Sequence, residues 1–295
     1  MKPLQIVELL ILAAVWGGSF LFMRIAAPEL GPIWLIGMRV LLAGLALLPL
    51  LIKQGLWQQL HRHWRPLLIV GLLNSALPFS LLAFASLSLP TGITAILNGT
   101  APFFGVAVAF VWLHERLTVS QVLGLILGFA GVVVLVGLQE TAITPAFGLA
   151  ISAGLTAAAM YAIATPFIRL NLKGVPSLVI ATGSQLSAAG WLIPLLPFTC
   201  PANLPSGNVV LAVLALALLS TSLAYIFYFR LIQAVGSTRA LTVTYLIPLF
   251  AMLWGAIVLN EAITLAMVIG SGLILVGTAI ANGLLKRPPT SHSKP

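Results

Sequence analysis

From Pro102 to Thr118 the chain reads PFFGVAVAFVWLHERLT, and from Pro248 to Thr264 it reads PLFAMLWGAIVLNEAIT. In both stretches a proline is followed thirteen residues later by a glutamate, and the two stretches lie 248 − 102 = 146 positions apart. The glycines downstream keep the same spacing, so that Gly124, Gly131 and Gly137 match Gly270, Gly277 and Gly283. The chain therefore contains an internal repeat that spans about half of its length.

The composition indicates whether this chain folds in water or in a membrane. Hydrophobic residues make up 60% of its 295 residues and charged residues 6%, with a mean hydropathy of +1.14. A soluble domain carries roughly 25% charged residues, so we predict a polytopic integral membrane protein. The net charge of +9 does not indicate nucleic-acid binding, because an excess of Lys and Arg is what cytoplasmic loops of membrane proteins carry. The single cysteine, Cys200, excludes an internal disulfide.

Apolar segments separated by proline, glycine and charged clusters predict the membrane spans. About 20 mostly apolar residues cross a bilayer, and ten segments of the chain meet this condition. The first of them continues without a small-residue cleavage pattern, so we expect a retained helix and not a signal peptide. The predicted spans are 6–26, 32–52, 66–87, 91–113, 119–138, 147–169, 176–197, 208–230, 238–259 and 264–284.

The distribution of basic residues predicts the orientation. With the N-terminus in the cytoplasm, all of the 14 Lys and Arg residues fall at the cytoplasmic face except Arg24, on the outer side, and Arg39, within the second span. This bias predicts that both termini are cytoplasmic. Five spans in each repeat is an odd number, so the second copy must enter the membrane from the opposite side. The fold predicted is all-α, with ten transmembrane helices arranged as two inverted five-helix repeats around a central cavity.

The two predicted units are residues 1–140 and residues 141–295, the second of which ends in a short basic cytoplasmic tail. Such inverted repeats are typical of secondary transporters, whose two halves enclose a site near the middle of the bilayer.

These features resemble the EamA-type branch of the drug/metabolite transporter superfamily. The resemblance covers about residues 6 to 284 and rests on the ten spans, the doubled unit, the run Ala14-Val15-Trp16-Gly17-Gly18-Ser19-Phe20 and the repeated Pro-x12-Glu-x2-Thr pattern. It implies a fold in which the first, third, fourth, sixth, eighth and ninth helices surround a central cavity. It also implies export or facilitated exchange of small metabolites, with amino acids among them, at a bacterial cytoplasmic membrane.

Polar residues near the middle of the spans are candidates for lining this cavity. Asn74 and Ser75 lie in the third span, and Ser220 and Thr221 lie in the eighth. A polar side chain in hydrocarbon needs a partner or a water-filled space, so interhelical hydrogen bonding is the alternative role. Asn74 has donors and acceptors on one amide to satisfy, which favours the cavity.

Aromatic and polar residues in other spans complete the candidate site. Trp16 and Tyr161, which align in the repeat at an offset of 145, lie too deep for an interfacial aromatic belt, so each ring lines the cavity or packs in the core. The remaining candidates are Ser19 in the first span, Asn98 in the fourth and Tyr245 in the ninth.

Arg39 is the only cation well inside a predicted span. Attraction of a substrate carboxylate is one possible role. Because the resemblance places the second helix outside the cavity wall, we favour a structural role in which Arg39 pairs with an acid or extends to the membrane surface.

Two repeated pairs are candidates for gating. Glu115 and Glu261 each follow the end of a span and are interpreted as structural or gating residues and not as catalysts. Pro102 and Pro248 each remove a helical hydrogen bond, so they are candidate hinges, with plain packing around a kink as the alternative. The glycines Gly124, Gly128 and Gly131 suggest close helix packing within the chain rather than between two chains.

Several chemistries are not supported by the sequence. The chain has no aspartate, and His114-Glu115 lacks the second histidine of a zinc site because position 118 is Thr. We therefore expect no enzyme activity, no metal and no cofactor. No mid-membrane carboxylate is present to attract cationic drugs, which favours neutral, zwitterionic or weakly anionic solutes.

The expected partners are a small-molecule substrate and membrane lipid, without nucleic acid, and the expected state is a monomer with a dimer as the alternative. The alternative functions are a multidrug or toxic-compound exporter of the same fold, a membrane-embedded enzyme, or a scaffold that does not transport.

Overall fold

The computed structural model describes residues 2–112, 114, 116–137, 144–240 and 242–281 of the chain. All regular secondary structure in these ranges is helical. By length and composition, the first seven of the long helices can cross a membrane, and the last two are shorter apolar helices. The long helices are α1 (Pro3–Lys53), α2 (Trp64–Ala85), α3 (Thr91–Trp112), α4 (Val119–Gly137), α5 (Pro145–Asn171), α6 (Ser177–Phe198), α7 (Gly207–Val235), α8 (Val243–Leu259) and α9 (Leu265–Ala281). Two short helices, Trp57–Arg62 and Ser237–Ala240, precede α2 and α8.

Gly31 divides α1 into two arms, residues 3–30 and residues 32–53. The helix has 51 residues, which at 1.5 Å per residue is about 75 Å, or more than twice the hydrocarbon thickness of a bilayer. Gly31 has φ 70° and ψ 156°, a region that is essentially open to glycine alone. The predicted spans 6–26 and 32–52 therefore lie one in each arm.

The interior and the outer surface are both apolar. The largest core cluster joins both arms of α1 to α2, α5, α6, α7 and α8. A second cluster joins the ends of α2 and α5 to α3, α4, α8 and α9. On the outside, α4 exposes Val119, Ile126 and Val133 at seven-residue spacing, as expected for a face in contact with lipid.

The helices α4 and α9 are held together by glycines. A Cβ atom built on Gly124 would lie 2.5 Å from the carbonyl oxygen of Gly277, and one built on Gly131 would lie 2.8 Å from that of Gly270. The two glycine pairs are related by the repeat, because Gly124 corresponds to Gly270 and Gly277 corresponds to Gly131 at a spacing of 146. The expectation that the α4 glycines pack within the chain is confirmed.

Two helices contain a π-helical segment at corresponding places in the repeat. In α2 it covers Leu72–Ala76, and in α7 it covers Ala215–Leu223. Position 74 in α2 corresponds to position 220 in α7, so both segments carry the polar residues singled out in the sequence. A π-helical turn is uncommon and is frequent at functional sites.

Candidate functional site

Arg39 lies in the interior of the helix bundle. The residue is 4% exposed, and its Nε–H donates a hydrogen bond of 3.1 Å to Oγ1 of Thr221. Its guanidinium carbon lies 3.7 Å from the centre of the Phe79 ring, a cation–π contact. Nη1 is 4.0 Å from the sulfur of Met23. The second arm of α1 thus brings a positive charge against α2, α7 and its own first arm.

The prediction that Arg39 pairs with an acid or extends to the surface is wrong. Among the described residues, the ion pairs join Arg24 to Glu261 and Arg230 to Glu8, and neither involves Arg39. Its 4% exposure also excludes an extended side chain at the surface.

Aromatic side chains lie near this charge and next to one another. Tyr161 and Tyr225 are near the guanidinium. The Tyr161 ring centre is 6.4 Å from that of Phe79. Trp16 contacts Tyr228, with ring centres 5.1 Å apart. The aromatic wall, defined here as Trp16, Phe79, Tyr161, Tyr225 and Tyr228, comes from four different helices.

The two π-helical segments hold their polar side chains differently. Thr221 donates to the carbonyl oxygen of Leu216 at 2.8 Å while it accepts from Arg39. Ser220 donates across to the carbonyl oxygen of Val15 in α1 at 2.9 Å. In α2, the fully buried Ser75 accepts a bond of 3.2 Å from Nε2 of Gln185, and Asn74 is half-buried.

The first arm of α1 is bound by neighbouring side chains at three consecutive carbonyl groups. Trp254 of α8 donates to Ala14 at 2.9 Å, Ser220 donates to Val15, and the buried Ser19 donates to Trp16. A helix carbonyl has a second lone pair, so these bonds are compatible with the helix. They fix the arm that carries Trp16 between α7 and α8.

Helix α3 is interrupted next to Asn98. Helical structure covers Thr91–Asn98 and Ala101–Trp112, with a turn at residues 99 and 100. Pro102 has no N–H to donate to the carbonyl of Asn98, which accounts for the break. The side-chain oxygen of Asn98 is buried and has no hydrogen-bond partner among the residues that the structure describes. In contrast, Pro248 lies inside the continuous helix α8, and the half-buried Tyr245 lies in its first turn.

Glu261 joins three parts of the chain at one end of the bundle. Its Oε2 accepts a bond of 2.9 Å from the backbone N–H of Thr91, the first residue of α3. Its Oε1 is 3.6 Å from Nε of Arg24. Arg24 also donates to the carbonyl oxygens of Ser86 and Leu87. Glu115 lies outside the described residues.

No group of three or more His, Cys, Asp or Glu residues with metal-binding geometry occurs in the described part of the chain.

The model of the EamA-like transporter family matches the chain twice, over residues 4–137 and 148–283. The chain belongs to the EamA-like transporter family. This EamA-like protein is therefore an integral membrane protein of a transporter family.

Its EamA-like relatives cover almost its whole length. A protein of Archaeoglobus fulgidus named "Uncharacterized transporter" is 27% identical over 90% of this chain and 94% of its own. The protein PecM of Dickeya dadantii is 28% identical over 89% and 88%. A protein of Salmonella typhimurium named "Probable amino-acid metabolite efflux pump" is 26% identical over 92% of each chain. A solved crystal structure is similar with a TM-score of 0.67 over 96% of this chain and 98% of that chain, and its 21% identity makes it evidence for the fold alone.

Sequence reasoning missed part of the environment of Arg39 in this EamA-like protein. Phe79 and Tyr225 contact or face the guanidinium, but apolar and aromatic residues are common throughout such spans. Gln185 is 0% exposed in α6 and was also missed. A polar amide deep in a span was the available signal, because such a residue needs a partner.

Proposed function

We propose that this chain is a secondary transporter that exports or exchanges small metabolites, amino acids among them, by alternating access. The observation that carries the proposal is the convergence of Arg39, Thr221 and the aromatic wall in the interior of an apolar bundle. Burial of a charged side chain within a membrane span costs free energy, and such residues mark substrate or ion pathways.

The proposed architecture is ten spans arranged as two inverted repeats, with units at residues 1–140 and 141–295. Three observations support it. The 51-residue helix α1 is divided at Gly31, the π-helical segments of α2 and α7 occupy corresponding positions, and the α4–α9 glycine contacts interconvert under the repeat. In such an architecture the two halves rock about a site that lies between them.

The proposed location is a bacterial cytoplasmic membrane, with both termini in the cytoplasm and the chain acting as a monomer. The basic residues at one face support this orientation. The relative YedA of Escherichia coli is named an inner membrane transporter, which supports the location. The α4–α9 contact uses the glycine face of α4 within one chain, so that face is not available for a dimer.

The proposed moving parts lie at Pro102, Pro248, Glu115 and Glu261. The break of α3 before Pro102 supports a hinge there. The bonds from Glu261 to Thr91 and towards Arg24 support a latch between α1, α3 and the end of α8. The cavity proposed between the halves would be lined by the residues named from the sequence, namely Trp16, Ser19, Asn74, Ser75, Asn98, Tyr161, Ser220, Thr221 and Tyr245.

Counterflow in proteoliposomes tests this proposal. Purified protein is reconstituted into liposomes that contain a pooled panel of amino acids, short carboxylic acids and cationic drugs, and exchange is followed by mass spectrometry. Selective exchange of a few metabolites is the expected result. Exchange of the cationic drugs alone would indicate a multidrug exporter, and chemical conversion of a compound would indicate an enzyme. No exchange by folded, correctly inserted protein would overturn the proposal.

A further inference from the structure

We infer that Arg39 binds the carboxylate group of the transported solute. This inference rests on the proposed transport function and names the substrate class of its site. The solutes are then organic acids or zwitterions held through a carboxylate, and not cations or neutral amines.

The charge of Arg39 has no anionic partner among the described residues. The chain contains five acidic residues. Of the three that are described, Glu8 pairs with Arg230, Glu29 bonds Ser206, and Glu261 bonds Thr91 near Arg24. The other two, Glu115 and Glu140, lie outside the described residues, and within the described residues no ion pair involves Arg39. A buried cation at this depth normally pairs with an anion or marks a substrate pathway.

Most N–H donors of Arg39 have no oxygen acceptor in the part of the chain that the structure describes. A guanidinium has five N–H donors in a planar fork. Within the described residues, only Nε–H reaches an oxygen atom, that of Thr221, and Nη1 faces the weak acceptor sulfur of Met23. The terminal donors of the fork therefore have no oxygen acceptor among the described residues.

Two contacts set the orientation of the guanidinium fork. Phe79 covers one face of the guanidinium at 3.7 Å, and Thr221 holds its Nε edge. With these two constraints the terminal edge is held in a fixed direction. A carboxylate matches that edge in a bidentate arrangement, which a compact ammonium or a neutral group cannot reproduce.

The surroundings of Arg39 suit the rest of such a solute. Tyr161, which packs against Phe79, and Tyr225 lie near the guanidinium, and each carries a hydroxyl donor. The aromatic wall offers apolar area beside this charge. A bound carboxylate would neutralise Arg39, so the loaded site is far less costly to enclose than the empty one.

The test compares acids with their amides. Wild type, Arg39→Gln and Arg39→Lys are studied in counterflow, with L-leucine, L-phenylalanine, L-threonine, lactate and benzoate as competitors and with the carboxamide of each. The same compounds are added in thermal unfolding assays of the detergent-solubilised protein. The matched control is Arg65→Gln, because Arg65 is also an arginine near an aromatic ring, that of Trp64 at 5.4 Å, but is exposed.

We expect at least one acid to compete about ten- to a hundredfold better than its amide in the wild type, the range of a hydrogen bond to a charged group. Arg39→Gln abolishes this discrimination, Arg39→Lys retains part of it, and Arg65→Gln behaves as the wild type. A purely structural Arg39 would lower the unfolding temperature of Arg39→Gln but would leave the acid–amide ratio unchanged.

Equal competition by acids and amides in the wild type overturns the inference, as does discrimination that survives in Arg39→Gln. If Arg39→Gln does not fold, Tyr225→Phe is measured in its place, and the acid–amide ratio of the wild type decides whether the inference stands. If nothing exchanges, but acids raise the unfolding temperature of the wild type and not of Arg39→Gln, the transport proposal fails and the carboxylate site stands. If acids neither compete nor stabilise, the carboxylate site is rejected while any exchange of other solutes leaves the transport proposal intact.

Discussion

His114 and Asn260 adopt the same left-handed backbone conformation, with φ of 53° and 54°, although they lie 146 positions apart. Among the described residues other than glycine, they are the two with positive φ. Asparagine and histidine tolerate this conformation better than most residues. In the second copy of the repeat, Asn260 follows the last residue of α8. The N–H of the next residue, Glu261, donates a hydrogen bond of 3.1 Å to the carbonyl oxygen of Gly255 in the last turn of the helix. The chain turns here, and the turn places the Glu261 side chain at the start of α3.

Removal of the Glu261 carboxylate should loosen this end of the bundle. Glu261→Ala leaves the N–H of Thr91 without its acceptor and Arg24 without its counter-ion, so we expect a loss of about 1–3 kcal/mol in the free energy of unfolding. Glu261→Gln should lose less, because an amide oxygen can still accept from Thr91. Thermal unfolding of the purified variants measures both.

Glu29→Ala is the matched control for Glu261. Glu29 also accepts from a backbone N–H at a helix start, that of Ser206 before α7, but this contact is exposed. We expect a cost below about 1 kcal/mol because exposed charge interactions are weak. Equal losses of unfolding free energy in Glu261→Ala and Glu29→Ala would show that the Glu261 contacts stabilise the fold no more than an exposed contact does.

A methyl group on Gly131 should separate α4 from α9. Its Cβ would lie 2.8 Å from both the carbonyl oxygen of Gly270 and Cγ1 of Ile274, so Gly131→Ala is expected to lose about 1–3 kcal/mol in unfolding free energy. Gly137→Ala on the same helix is the control, because a Cβ there meets nothing within 4 Å. An unfolding temperature of Gly131→Ala equal to that of Gly137→Ala would contradict the close contact.

Replacement of Asn98 should lower the rate of transport without lowering the stability of the protein. Its buried side-chain oxygen lacks a partner, so Asn98→Leu should keep the unfolding free energy or raise it by up to about 1–3 kcal/mol while counterflow falls. Thr278→Val provides the control, since Oγ1 of Thr278 is also buried without a partner but lies in α9. That variant should gain stability and keep full counterflow. A large loss of stability in Asn98→Leu would reveal a structural role.

Pro102 should set the rate of conformational change. In Pro102→Ala the restored N–H can bond the carbonyl of Asn98, so α3 becomes continuous and the unfolding temperature rises. The initial rate of counterflow should fall several-fold because the break no longer bends. Pro49→Ala, an exposed proline near the end of α1, should leave the rate unchanged. Identical rates in the two variants would argue against a hinge at Pro102.

The sequence predicted the membrane class, the family and the packing of the α4 glycines, because composition and the 146-residue spacing carry these features. It did not predict the surroundings of Arg39. In a soluble helix the polar face reveals which side is buried, but here both the lipid-facing and the interior sides are apolar. Sequence spacing therefore gave the depth of Arg39 and not the direction in which it points.

The same limit applies to Ser75 and to the π-helical segments. Ser75 was a candidate for the cavity, and the structure places it against Gln185 of α6. This helix is the seventh of the ten predicted spans, which the resemblance places outside the cavity wall. The π-helical segments arise from a shift in backbone hydrogen bonding by one residue, for which the side chains of Leu72–Ala76 give no local signal.

The uncompensated charge of Arg39 has an electrical consequence for the proposed transport cycle. With a net monoanion such as lactate bound, the site would be neutral and would change between its two open states independently of the membrane voltage, whereas a bound zwitterion would leave one positive charge. When the site is empty it carries one positive charge, and a voltage of 100 mV is worth about 2.3 kcal/mol per elementary charge. A potential that is negative inside would therefore hold the empty carrier open to the cytoplasm, where it collects the next anion, and the resting voltage itself would drive export.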